Sequence, residues 1–377
     1  MQQIVDDFAR YADIVFTEFG ARIKHWSTFN EPRTFCTLGY GMGVHAPGIK
    51  SVESAWQCVQ HVLEAHAAAF KKFKAKVPGG ELCMNLDGEW GEPASDSAAD
   101  REAAQTHRDY HYGLFADPIY LGRYPQSIID HAPAGLGKIS PQLAADLKGS
   151  QTLYCFNGYT TRWVKARKGA LQGDGLGVAD YDGLTELNGK PIGPRGEPEW
   201  LYSVPWGFKA ALVYLHKRYN PSNMAVTEFG IACPGEDALP LKAALNDTCR
   251  VDYYRDYIAA AAAAKAEGAP ISIVFPWSFS DNLEWAEGGG GGEGGGRGRE
   301  RGEAQPSKKL EVHPPPHPPS FLSGYKQRFG LTYVDYKTQT RYPKASFDYV
   351  SQLWGNPPSE WPLKGGAAAA PATAASG

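Results

Sequence analysis

The chain has 377 residues, 42% hydrophobic and 21% charged, enough to bury a sizeable core without metal or disulfide staples. Its net charge is −3, so no global field draws it to nucleic acid or anionic lipid. No apolar run approaches the roughly 18 residues of a membrane span, and residues 1–26 hold no hydrophobic signal-peptide core.

Ile4, Val5, Phe8, Ala12, Val15, Phe16 and Phe19 recur at helical spacing and predict a helix over 3–19, closed by Gly20. A short strand at 23–29 runs into Asn30, Glu31 and Pro32. A long helix fills about 51–75. Residues 81–90 (ELCMNLDGEW) read as a strand that again ends in polar groups, with helices following at about 98–115 and 140–148. The stretch 152–164 (TLYCFNGYTTRWV) reads as a buried strand leading to a polar turn. Pro205 opens a helix to about 219. A strand at 223–230 carries Glu228, 250–267 is helical, and 271–285 holds the last strand and its loop. The alternation predicts a parallel α/β architecture. Polar and acidic residues follow each apolar run, which in a parallel barrel is the catalytic face.

Residues 288–323 differ in kind. Of these 36 residues 10 are Gly and 6 are Pro, so the segment reads as a disordered insertion. Its RGRERG tract resembles arginine–glycine RNA-binding sequences, but Glu293, Glu300, Glu303 and Glu311 nearly cancel the charge. His313 and His317 are separated by prolines that forbid a helix to align them for a metal. The tail 365–377 is similarly low-complexity. The six cysteines form no CxxC or zinc spacing and sit among apolar neighbours. They read as buried free thiols, a weak lean to the cytoplasm.

Two carboxylates stand at strand ends, Glu31 in STFNEP and Glu228 in VTEFG. Cleaving a glycosidic bond takes such a pair, one to protonate the leaving oxygen and one to attack or to activate water. A second TEFG at 17–20 is a control: Glu18 lies on a predicted helix and reads as solvated.

With these motifs in hand, the chain resembles the family-1 glycoside hydrolases, the β-glucosidases and their relatives. TFNEP resembles the family's acid/base motif, which implies Glu31 as proton donor and Asn30 as a ligand of the sugar 2-hydroxyl. VTEFG resembles the nucleophile motif and implies that role for Glu228, with Phe229 where the family usually has Asn. NGYTTRWV implies Asn157 and Tyr159 beside the nucleophile. WSFSDNLEW resembles the sugar-gripping loop and implies Trp277, Glu284 and Trp285. RFGLTYVDYKTQTRYPKAS (328–346) is similar to the family's closing signature. Indole faces suit the C–H face of a pyranose, and Glu284 suits two sugar hydroxyls. His45, His61 and His66 read as structural and Arg33 as a surface charge.

The family builds an eight-stranded barrel whose acid/base Glu ends the fourth strand, and only 26 residues precede Ser27 here. The expected fold is therefore an incomplete (β/α)8 TIM barrel with about five βα units, the fourth to the eighth, over 1–287 and 324–356. The family's glycone-binding Gln and His have no counterpart, and Met1 reads as an internal start or a truncated gene model. The expected activity is retaining hydrolysis of terminal β-glucosides or β-linked oligosaccharides, with no cofactor, metal, nucleic acid or membrane implied. The alternatives are a sugar-binding pseudoenzyme, an inactive fragment or a transglycosidase. The oligomeric state is left open.

Overall fold

The structure is a computed structural model and describes residues 2–131, 137–167, 176–177, 181–285 and 323–355. The segment 288–322 and the tail 365–377 lie outside the described residues.

Helix α1 (Gln2–Phe19) buries Val5, Ala12 and Phe16 of the stripe its spacing predicts, with Phe8 and Val15 partly covered, while Ile4 and Phe19, expected on the same stripe, are exposed. Strand β1 (His25–Asn30) follows, then a short helical turn, Pro32–Phe35, and the long helix α2 (Val52–Lys76). Ser51 caps α2 by accepting from the Ser54 amide at 3.1 Å. Strand β2 (Glu81–Pro93) leads to α3 (Ala98–Arg108). The single helix expected over 98–115 is broken: a π-helical turn, Asp109–Gly113, intervenes before α4 (Leu114–Leu121). Strand β3 (Tyr154–Ala166) carries on its far end an antiparallel strand that the alternation did not predict, β4 (Tyr181–Leu184). Helix α5 (Pro205–Tyr219), β5 (Met224–Phe229), α6 (Thr248–Ala266) and β6 (Ile271–Pro276) complete the body.

The sheet order is β1-β2-β3-β5-β6, all parallel, with β4 on the side of β3. This is an α/β fold with an open, half-barrel sheet in chain order. Register sets Asp87 opposite Asn157 and Asn157 opposite Glu228, so three neighbouring strands carry polar groups at one level. A bulge in β5 between Val226 and Glu228 sets that register, the kind of irregularity that re-aims a side chain near a site.

The closing segment 323–355 is tied to the body by buried charge. It forms a hairpin of β7 (Thr332–Val334) and β8 (Arg341–Pro343), then α7 (Ala345–Gly355). Asp281, on the loop after β6, accepts from Arg328 Nη1 at 2.7 Å, Lys344 Nζ at 2.9 Å and the amides of Gly330 and Val334 at 3.0 and 3.2 Å. Lys344 also reaches Glu236 at 2.5 Å, and Arg250 joins Glu236 to Asp247. Deleting one partner of such a network strands the others without water. Asp281→Ala is therefore expected to lower unfolding free energy by about 3–5 kcal/mol, read by urea denaturation. A loss below about 1 kcal/mol would mean the network is solvated.

The reading of the cysteines as free thiols is wrong. Cys36 pairs with Cys58, Cys83 with Cys155 and Cys233 with Cys249, with Cα separations of 5.6, 5.9 and 6.1 Å, inside the range a disulfide spans. Each pair joins positions 16 to 72 residues apart that only folding brings together, so apolar surroundings in the sequence looked the same for a thiol and a bridge. Disulfides persist in oxidising compartments, so the thiol argument for the cytoplasm falls. Among the described residues no helix is long and apolar enough to cross a membrane.

Candidate active site

Glu31 closes β1 in the left-handed region, at φ 52° and ψ 55°. A non-glycine residue held there is strained by roughly 1–3 kcal/mol, and Pro32 fixes the turn that follows. The side chain is buried. Asn157 Nδ2 donates to Glu31 Oε1 at 2.9 Å and to Asn30 Oδ1 at 3.0 Å, while Thr227 Oγ1 donates to Asn157 Oδ1 at 2.6 Å. The Asn157 amide is thereby fixed in one orientation.

Glu228, on β5, accepts from the Tyr159 hydroxyl at 2.6 Å. The Tyr159 carbonyl in turn accepts from Tyr257 at 2.8 Å and Tyr253 at 3.3 Å, which holds that stretch of β3. Gly230 lets the next strand's loop approach, because a Cβ there would stand 1.8 Å from the Trp277 carbonyl. Trp277 Nε1 donates to Glu284 Oε1 at 2.8 Å, and Glu284 is buried. Trp285 is half exposed and stacks on His45 at 5.5 Å.

Glu31, Asn157, Tyr159, Glu228, Trp277, Glu284 and Trp285 line one cavity of about 490 Å³. Asn30 reaches it through Asn157. The two carboxyl groups are not equivalent. Burial, then the charges of Asp87 and Glu228, push Glu31 well above the usual carboxylate range, against weaker opposition from Asn157 and Arg33. Burial also raises Glu228, but donation from Tyr159, with Asn157 and Asn30 acting the same way, opposes it. Burial and like charge thus oppose ionisation of Glu31, while at Glu228 three hydrogen-bond partners work against the same effect.

Several lining residues escaped the sequence reading. Arg33 is not a surface charge: it pairs with the buried Asp87, which also accepts from Thr34 Oγ1 at 2.8 Å. His45, read as structural, lines the cavity. His66 is structural: Thr28 Oγ1 lies 2.8 Å from its Nδ1 and Ser150 Oγ 3.0 Å from its Nε2, and burial lowers it to about 4. Glu18 is exposed, as its helical context predicts. Glu89 and His111 also line the cavity, with His107 behind them. Burial opposes the Glu89 charge, yet Arg162, His107 and Arg33 hold that carboxyl to about 2. Burial pushes His107 down, against the pull of Glu89, and burial with the charges of His107, Arg33 and Arg162 pushes His111 well down. The signal for Asp87 and Glu89 was present, since both follow the apolar run of β2.

A parallel α/β half-barrel with buried acids at the carboxyl ends of its strands is the working face of a barrel-type fold. Residues 1–290 match Glycosyl hydrolase family 1, and the chain belongs to that family. It is 35% identical over 370 residues to Beta-glucosidase 44 of Arabidopsis thaliana, covering 93% of this chain and 65% of the relative. Beta-glucosidase 1B of Phanerodontia chrysosporium is 36% identical, covering 93% and 60%. Among solved structures, the β-glucosidase of Trichoderma harzianum superposes with a TM-score of 0.80 at 33% identity, covering 93% of this chain and 68% of that one. A rice β-glucosidase gives 0.80 at 33%, covering 94% and 71%. The chain spans 65%, 60% and 62% of the length of three curated relatives it matches.

Proposed function

We propose that the five parallel strands are the fourth to eighth units of a β-glucosidase barrel, and that the completed site hydrolyses terminal β-glucosides with retention. The observation that carries this is the asymmetric acid pair. Glu228 is braced by a tyrosine hydroxyl at 2.6 Å, and burial together with the charges of Asp87 and Glu228 opposes ionisation of Glu31, which suits it to the role of proton donor. In the first step Glu228 attacks the anomeric carbon while Glu31 protonates the departing oxygen, leaving a glycosyl ester on Glu228. In the second, Glu31 takes a proton from water, which attacks the face the aglycone left. Two inversions return the β-anomer. Asn30 would hold the 2-hydroxyl, Trp277 and Trp285 the sugar faces, and Glu284 two hydroxyls, its carboxylate aimed by the Trp277 indole. The test is turnover of an aryl β-glucoside by the protein completed to a closed barrel. Binding without turnover would leave a sugar-binding protein.

The pH dependence has a definite sign. The first step needs Glu31 protonated, so the rate falls as pH rises through its elevated pKa. Asp87 is the largest single charge raising that value. Asp87→Asn removes it and also frees Arg33, whose charge favours the ionised form. The alkaline limb of kcat/KM for a substrate with a poor leaving group should therefore move to lower pH. An unmoved or raised limb would separate Asp87 from the acid.

The substrate should be a neutral sugar. A buried carboxylate at Glu284 repels a phosphate dianion, and like charges brought together in a site cost several kcal/mol. A 6-phosphoglucoside is expected to react at least about 100-fold more slowly than the plain glucoside, compared as kcat/KM. The reverse preference would remove Glu284 from the sugar site.

A further inference from the structure

On the wall of the same cavity, Glu89 on β2 faces two histidines from the helical stretch that follows it. His107 lies in the last turn of α3 and His111 four residues on, in the π-helical turn Asp109–Gly113. Their rings stack at 4.1 Å. Both Nε2 atoms approach one oxygen, Glu89 Oε1, at 3.3 Å from His107 and 3.8 Å from His111. One donor atom from each residue lies within 4.8 Å of the other two. Around a single ion bonded at about 2.0–2.2 Å, tetrahedral neighbours stand roughly 3.3–3.5 Å apart, so the two separations from Glu89 are close to the edges of one coordination shell.

The surroundings fit the same use. His111 is nine-tenths buried, its Nδ1 has no hydrogen-bond partner among the described residues, and 3.8 Å to Glu89 is too long for a hydrogen bond at Nε2. An imidazole left so at a cavity wall is unexplained by packing alone. The other oxygen of Glu89, Oε2, turns to Arg162 at 3.6 Å. Arg162 is anchored elsewhere, donating to the Thr161 carbonyl at 3.0 Å and the Trp200 carbonyl at 2.6 Å. It thus orients the carboxylate without occupying Oε1, as outer partners of ligating groups do. Asp87 and Glu89 stand against the charges of Arg33 and Arg162, and Arg108, the third cation near His107, donates to the Gly91 carbonyl at 2.8 Å. Gly91 makes room for His107, since a Cβ there would stand 2.5 Å from its Nδ1.

We propose that Glu89, His107 and His111 form a binding site for one divalent transition-metal ion of the zinc or copper type, with an open position facing the cavity. Two imidazole nitrogens and one carboxylate oxygen are the donor set such ions select. The site is separate from the acid pair and does not depend on the chain's being a glycosidase.

The full chain, stripped with chelator, would be titrated with Zn2+ by calorimetry and with Cu2+ by electron paramagnetic resonance. One saturable equivalent is expected, with nitrogen hyperfine structure from two imidazoles. His111→Gln should weaken Zn2+ binding at least 100-fold. The double variant His313→Gln with His317→Gln, in the segment 288–323, should bind as the parent does. No saturable binding, a copper signal without two nitrogens, binding that survives His111→Gln, or binding lost with His313 and His317 would each overturn the proposal. Should His111→Gln misfold by circular dichroism, the nitrogen count in the unaltered chain decides alone. No readout uses turnover, so a failed glycosidase reading and a failed metal site are told apart.

Discussion

Glu228→Ala, made in a protein whose barrel is closed, should lower turnover of an aryl β-glucoside by roughly 10⁴-fold or more. Added azide should restore part of the rate by entering where the carboxylate stood. Because azide then attacks the face opposite the aglycone, the product must be the α-glucosyl azide. Glu31→Ala makes the complementary case. An aryl group that leaves without a proton still departs, and azide meets the glycosyl ester on Glu228 from the other side, giving the β-glucosyl azide. The two anomers, distinguished by NMR, assign the roles separately. Their exchange would reverse the assignment, and no azide product from either variant would remove it. The structure motivates this pairing, since Tyr159 braces Glu228 at 2.6 Å while Glu31 is bridged by Asn157 at 2.9 Å.

The second large effect concerns the open sheet. Barrel closure couples strand number, tilt and shear, and five parallel strands leave β1 and β6 as edges. Apolar side chains stand exposed near both, with Ile4, Tyr11 and Ile14 on α1 and Phe275 and Phe279 at the other end. Unpaired edges beside apolar surface loosen whatever they carry. Glu31 closes β1, an edge strand, and a displacement of about 1 Å in such a group costs on the order of 100-fold in rate. The 377-residue chain alone should therefore turn over an aryl β-glucoside at least about 100-fold more slowly than the same chain fused to the first three βα units of a relative. The comparison of kcat/KM at equal folded concentration checks this. Equal rates would mean that five strands already hold both acids in register.

Much of this fold is readable from local pattern. Pro205 opens α5 where its fixed φ requires, and the strand over Met224–Phe229 follows from its apolar run. The acids at strand ends are readable for the same reason, because a parallel α/β fold puts strand termini on one face. What escaped depends on pairing across the chain. Arg33 looks like a lone charge until β2 places Asp87 against it. Cys83 and Cys155 are 72 residues apart and meet only because β2 and β3 are neighbours. His107 and His111 share a helical stretch, but the π-helical turn between helices and the oxygen they face from Glu89 have no local signature. The strand Tyr181–Leu184 was missed because four residues with one glycine carry too little alternation to register.

The most direct test of the acid pair is to find the sugar on the enzyme. A glucoside with fluorine at C2 destabilises the positively charged transition states of both steps, and a good leaving group lets the first outrun the second, so the ester accumulates. The barrel-completed protein, incubated with it, quenched in acid and digested, should carry one glycosyl adduct on the peptide containing VTEFG at 226–230, at Glu228. An adduct on any other carboxylate, or turnover of the ordinary substrate with no adduct from the fluorinated one, would contradict the account.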